Sequence, residues 1–408
     1  MITYRFEDDL YSATWKGSTM ALPYPTTRTN PFTGRKVYIS PARQNRGAPK
    51  TVRALHPEVH PEKGDVFADP ESRGEVPVLK YVDSETDEWR LMVLPNLYPS
   101  LSHAFDEIPS PVEGGEFLEG YRTEVGIGFQ DLLIWDYPTY TFADFSLGEA
   151  WLTLRALAER ANDILEQDPS ICHFSIFQNY GSQAGETIPH PHIQMYATQH
   201  VPLEVAHRMD RVTSYYLLTT GRDQEEAEHL AQSMNLGYKP HGKFLTEDLC
   251  ASARKHKQVV YENGSWQVSC PFTPEVDYEM QILPRYLPVS DQGIFLREMR
   301  GEEVLAQLAD ALVVAMRCLR LALDDPPYNI LFRLPAIGIY DIPVPWYIDV
   351  RPAINYAPFG HKQISGDDIV SVDPVDAATL LRRYAPSQIS TVVSLGSLDD
   401  VAGLKRVV

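Results

Sequence analysis

The chain has 408 residues, of which 44% are hydrophobic, enough apolar side chains for one large domain or two packed ones. Its 36 Lys and Arg against 55 Asp and Glu give a net charge of −19, which argues against nucleic acid and anionic membrane as partners and obliges any phosphorylated ligand to find a local basic pocket. No apolar run approaches a membrane span, MITYRFEDDL lacks a signal-peptide pattern, and the four cysteines (Cys172, Cys250, Cys270, Cys318) follow neither metal nor disulfide spacing, so a reduced, cytoplasmic protein is expected.

In chain order, residues 1–27 read as an N-terminal extension, Asn30 to Gly34 as a turn and Lys36 to Ile39 as a strand. From Arg35 to Arg53 the chain carries Arg35, Lys36, Arg43, Arg46, Lys50 and Arg53 with no acidic residue. Such a segment suits phosphate, because guanidinium presents a planar fork to its oxygens; a solvated basic loop is the other reading. Residues 54–77, rich in Pro, Glu, Asp and Gly, predict a loop, and Trp89 to Leu94 a strand that follows a polar turn at Asp83 to Asp87, as in a hairpin. The segment Pro95-Asn96-Leu97-Tyr98-Pro99 ends that strand, with ordinary turn chemistry one explanation of Asn96. Residues 103–121 read as a further loop and Asp131 to Trp135 as a strand. Ser146 to Leu165 predict a helix that opens on a Ser146/Glu149 capping box and has a broad apolar face.

Between Cys172 and His200 the pattern is strand, glycine-bearing loop, strand. In an extended segment His190, His192 and Gln194 share one face. A neutral imidazole can attack phosphorus, a second histidine or a carbonyl can hold its tautomer, and an amide can donate to a phosphoryl oxygen. On these residues alone, a surface turn or half of a metal site fits as well.

The second half repeats the order of the first: hairpin, strand, long helix, strand, loop, strand. Its elements are Lys257 to Glu262, the turn Asn263-Gly264, Trp266 to Cys270, Tyr278 to Leu283, a helix from Glu302 to Leu323, Asn329 to Leu334 and Pro345 to Val350. Helical periodicity at Val205 to Leu218 and Gln224 to Met234 separates the halves, and a helix is expected over Asp376 to Tyr384. Ile188-Pro189-His190-Pro191-His192 aligns with Ile342-Pro343-Val344-Pro345-Trp346, which points to a duplicated α+β unit with histidines kept in one copy.

Asn179-x-Gly181, Gly185-x-Thr187 and His190-Pro191-His192-x-Gln194 together resemble the active-site segment of the galactose-1-phosphate uridylyltransferase family, the transferase branch of the histidine-triad superfamily. Asn30-Pro31-x-Thr33-Gly34 and Ser40-Pro41-x-Arg43-x-x-Arg46 resemble its N-terminal signature. The resemblance implies an α+β fold made by tandem duplication of a histidine-triad-like unit, with antiparallel sheets and packed helices. The first half would span 28–204 and the second 205–385, with a tail at 386–408. It implies a homodimer, and a nucleotidyltransferase that moves a nucleoside monophosphate from a nucleotide sugar to a sugar 1-phosphate by double displacement. His192 would be the nucleophile, His190 or the backbone near it would hold that ring, Gln194 would bond the phosphoryl oxygens and Asn179 would orient the nucleophile. Arg43, Arg46, Gly181 and Thr187 would serve phosphate and Asn96 the nucleoside. Lys362 and Asp368 would lie at the acceptor sugar. A phosphorylase or hydrolase keeps the covalent step with another acceptor, and a non-catalytic nucleotide-binding protein is the reading of another class.

Two departures bear on metals. Many family members hold zinc with Cys-x-x-Cys, a later histidine and the first histidine of the His-Pro-His motif. Here no cysteine precedes Cys172 and the later histidine falls near Pro138, so the usual ligand set is absent; His56 and His60 with His190 remain a conceivable partial set. At the second-half metal position of some members stand Arg208, Arg333, Tyr347 and Asp349, and arginine pairing with Asp349 is expected to replace the cation there.

Overall fold

The computed structural model describes residues 26–40, 52–59, 64–103, 126–220, 224–233, 244–286, 302–338, 344–354, 359–386 and 401–408. The first half opens with the hairpin β1 (Thr26–Thr29) and β2 (Lys36–Ile39), and continues with β3 (Leu79–Asp83), β4 (Trp89–Pro95), β5 (Gly128–Trp135), α1 (Leu147–Gln167), β6 (His173–Tyr180) and β7 (His192–Thr198). Three helices follow, α2 (Leu203–Thr219), α3 (Gln224–Ser233) and α4 (Leu245–Lys255). The second half supplies β8 (Val259–Glu262), β9 (Trp266–Ser269), β10 (Met280–Pro284), α5 (Glu302–Leu323), β11 (Tyr328–Arg333) and β12 (Tyr347–Pro352). The chain closes with α6 (Phe359–Ser365), β13 (Asp368–Val370), α7 (Pro374–Arg382) and β14 (Leu404–Arg406).

The two halves merge into one 11-stranded antiparallel sheet in the order β14-β3-β4-β5-β7-β6-β11-β12-β10-β9-β8. Reading outward from the β6/β11 seam, each half gives the same sequence of strands, so the duplicated unit is joined edge to edge. Phe177 stands opposite Leu331 and Asn179 opposite Asn329 across the seam. A smaller sheet pairs β1 with β2 antiparallel and β2 with β13 parallel.

One face of the large sheet is covered by α1 and α5, which also pack on each other. Alternation decides which side chains go there: Phe174, Ile176, Ile193, Met195, Ile330, Ile348 and Val350 all enter this core. The capping box at the start of α1 is formed, with Glu149 N donating to Ser146 Oγ at 3.1 Å and Ser146 N donating to Glu149 Oε2 at 2.8 Å. The opposite face is covered by α2 and α4 over the second half, through Val212, Tyr215, Leu245 and Cys250. Over the first half, among the described residues, Phe67 from a loop is set on Met92, Leu94, Leu132 and Ile134, with Val66 and Ile188 packed against them.

Five features differ from the sequence reading. Strand β7 begins at His192, so His190 lies outside the extended segment expected to hold it with His192 and Gln194, because Pro189 and Pro191 offer no N–H to the sheet ladder. Helix α6, which carries Lys362, was not anticipated, nor was α4, whose apolar face is short. The tail ends in β14, which pairs with β3 of the first half. Strand β1 begins inside the expected N-terminal extension.

Candidate active site

Because Ile193 and Met195 point into the core, His192 and Gln194 point to the other face of β7. The register sets His192 opposite Ile134 of β5, and Gln194 between Leu132 and Phe177. His192 is buried, and its Nδ1 lies 3.0 Å from the main-chain oxygen of His190. A carbonyl only accepts, so the ring carries its proton on Nδ1 and leaves the Nε2 lone pair free. Burial holds the His192 pKa below its ordinary value; the backbone bond opposes this and the His190 ring adds to it. A neutral, orientated imidazole is the form that attacks phosphorus.

His190 sits in the bend before the strand, held through both ring nitrogens. Nδ1 meets Asp65 Oδ2 at 2.8 Å and Nε2 meets the Trp135 carbonyl at 2.8 Å. Phe67 stands edge-on to both imidazoles, with centroids 5.7 Å from His190 and 5.5 Å from His192. Asp65 escaped the sequence reading because nothing in a loop rich in Asp and Glu marks one carboxylate as the partner of a histidine 125 positions away.

The loop between β6 and β7 needs its glycines. Gly181 has φ +84° and a Cβ there would meet Pro327 Cβ at 2.8 Å, while Gly185 has φ +91°. Glu186, fully buried, accepts from Gly181 N at 3.1 Å and pairs with His56 Nδ1 at 2.8 Å. Burial raises the Glu186 pKa, and His56 opposes that rise.

Residues 18–202 match the family described as galactose-1-phosphate uridyl transferase, N-terminal domain. The chain is 26% identical over 368 residues to an ADP-glucose phosphorylase of Arabidopsis thaliana, covering 88% of this chain and 93% of that protein. Over residues 18–202 the chain is a match to the galactose-1-phosphate uridylyltransferase family. A galactose-1-phosphate uridylyltransferase of Thermotoga maritima is 24% identical over 260 residues, 63% of this chain and 66% of that one. In fold, the chain is similar to the crystal structure of an Arabidopsis ADP-glucose phosphorylase with bound ADP-glucose, with a TM-score of 0.66 and 23% identity over 88% of this chain and 98% of that one. A uridylyltransferase structure gives a TM-score of 0.60 at 18% identity, covering 88% and 97%.

The remaining expected site residues divide. Asn179 lies beside the loop, its Nδ2 donating to the Gly185 carbonyl at 3.3 Å and its Oδ1 accepting from Asn329 Nδ2 at 2.8 Å. The group bonded to His192 is the His190 carbonyl, and Asn179 is bonded to the loop and the seam instead. Thr187 is exposed. Asn96 caps its own turn, accepting from Tyr98 N at 2.9 Å, and its N–H donates to Gln130 O at 2.8 Å. Lys362 pairs with Asp368 at 2.7 Å, and Asp368 is buried. Arg43 and Arg46 lie outside the described residues, as does His60.

The residues present do not fit the first-half zinc of the family. His190 Nε2 must donate to Trp135 O, and Nδ1 is committed to a carboxylate. His56 Nδ1 is committed to Glu186, and among the described residues no group of three His, Cys, Asp or Glu is placed to hold a metal ion. At the second-half position Arg333 Nε pairs with Asp349 Oδ2 at 2.7 Å, as expected, joined by Arg351 at 3.2 Å and by Gln281 Nε2 at 3.1 Å to Oδ1. The expected partner role of Arg208 is not what is seen: its guanidinium donates to Leu334 O at 3.0 Å. Sequence reasoning missed Arg351, which binds Glu275 at 2.9 Å as well.

Proposed function

We propose that this chain is a nucleotidyltransferase that forms a covalent nucleotidyl-His192 from a nucleotide sugar and passes the nucleotidyl group to a phosphate-bearing acceptor. The observation that carries this is the buried His192 ring with its proton directed to the His190 carbonyl. In the first step Nε2 bonds to the α-phosphorus while the bond from that phosphorus to the bridging oxygen breaks, and the sugar 1-phosphate leaves with the electron pair. The ring becomes cationic on phosphorylation, and its Nδ1–H remains on the carbonyl dipole, which favours that charge. Gln194, on the same strand face, is suited to the phosphoryl oxygens, and an acidic chain needs basic side chains for them, a role that the sequence offers to Arg43 and Arg46. In the second step an acceptor oxygen attacks phosphorus, the P–N bond breaks and neutral His192 returns.

A relative matched over 88% of this chain is an ADP-glucose phosphorylase, which supports an adenylyl group and orthophosphate as acceptor. The Thermotoga relative supports the second reading, a sugar 1-phosphate acceptor. Intact-protein mass spectrometry after brief incubation with ADP-, UDP- and GDP-sugars separates these. The expected result is an acid-labile adduct of one nucleotidyl group, absent in His192→Ala and discharged faster by orthophosphate than by glucose 1-phosphate or galactose 1-phosphate. Nucleotide binding without an adduct from any donor would overturn the covalent mechanism and favour a non-catalytic binding protein.

A further inference from the structure

The main chain that positions His192 is not secured by the sheet. Strand pairing reaches only to His192, and the prolines on either side of His190 donate no hydrogen bond. What fixes the His190 peptide, and with it the carbonyl that receives the His192 proton, is therefore the His190 side chain. That ring is 1% exposed and anchored at both ends, by Asp65 Oδ2 and by the Trp135 carbonyl, each at 2.8 Å. Asp65 is itself anchored, since its Oδ1 accepts from Phe67 N at 2.9 Å, and the Phe67 ring closes over both imidazoles. The result is one connected line from Asp65 through the His190 ring and the His190 carbonyl to His192 Nδ1.

We propose that Asp65 is the positioning residue of this site, and that its carboxylate, with the Trp135 carbonyl, clamps His190 in the way a metal ion would, so that the tautomer of His192 is set without metal. Trp135 O only accepts, so His190 Nε2 carries a proton, and Nδ1 is turned to Asp65 Oδ2, so neither ring nitrogen is open to a cation. A hydrogen-bonded carboxylate and histidine can orient the next group as a metal's outer shell does. The kinetic part of this inference rests on His192 being the nucleophile; the clamp itself does not.

The test uses the full chain with ring-¹⁵N-labelled histidine, metal analysis by mass spectrometry, and the rate of nucleotidyl-enzyme formation. In wild type, zinc should be far below one per chain, chelator should not change the adduct rate, His190 should show a protonated Nε2 and His192 a single tautomer with the proton on Nδ1. Asp65→Asn should mix the His192 tautomers and slow adduct formation about 10- to 100-fold, while the donor Kd moves less than about twofold. Asp65→Glu should restore part of both signals, which a general loss of fold would not do. Stoichiometric zinc bound to His190, or an Asp65→Asn protein with the wild-type His192 tautomer, would overturn the proposal. If wild type forms no adduct at all, the function proposed above fails, while the zinc and tautomer measurements still decide the role of Asp65.

Discussion

At the scale of the residue, the reactivity of His192 follows from where its proton sits. Burial lowers its pKa, so protonation is resisted at pH values where an ordinary histidine, near about 6.5, would already be charged and inert. The acidic limb of the pH–rate profile for adduct formation should therefore lie below about 6.5, and a limb centred at or above that value would contradict the buried geometry. His173 gives the stability counterpart. Burial, with help from Arg208, pushes its pKa down to about 4. The unfolded chain takes up this proton near pH 6.5 and the folded chain only near 4, so stability is full above 6.5 and falls as the pH drops through that window. The loss should be on the order of 3 kcal/mol, and denaturant melts of wild type and His173→Gln between pH 7 and 4 would show whether the difference is present. The strand period grouped His192 with Gln194, and the family resemblance gave these two and His190 their expected roles, although His190 lies in the bend before β7. The sequence did not mark Asp65 or Glu186, because an isolated carboxylate acquires its meaning only when the fold brings a histidine to it.

At the scale of the element, the loop between β6 and β7 is shaped by backbone more than by side chains. Gly181 at φ +84° faces Pro327 closely, so Gly181→Ala adds both a strained conformation and a clash. A loss of about 1–3 kcal/mol is expected together with slower adduct formation, measured by thermal melts and the mass assay; a fully stable, fully active variant would mean the loop can reform around a Cβ. The long helices were legible because α1 carries its start signal in Ser146 and Glu149 and α5 repeats Ala and Leu over many turns. Helix α4 was not, since LTEDLCASARK buries only Leu245, Thr246, Cys250 and Ala253 and starts without a side-chain cap. Strands β13 and β14 are three residues each and take their structure from distant partners, Lys36–Ile39 and Leu79–Asp83 respectively, which no local pattern encodes.

At the scale of the molecule, the duplication was readable from element order, but its consequence was not: the halves share one sheet, so the second half takes part in building the site of the first. In the place of a second-half metal, Arg333 and Arg351 meet Asp349, which is almost fully buried. Arg333→Ala should cost about 1–3 kcal/mol, less than for a buried charge left wholly unpaired, because Arg351 and Gln281 stay on Asp349. An unchanged Tm would show that the pair is dispensable. Asn329 is the more direct link between the halves. From β11 its Nδ2 donates to Asn179 Oδ1 and to the Ala184 carbonyl, both at 2.8 Å, and so ties the glycine loop to a strand of the second half. Asn329→Ala removes both bonds without touching β7, His190 or His192. Adduct formation should slow on the order of 10-fold, as expected when a reacting group is misplaced by a fraction of an ångström, while the His192 pH profile stays where it is. If the rate falls and the profile also moves, the seam acts on the proton of His192 rather than on the placement of the loop. If neither changes, the second half serves the site only as a platform.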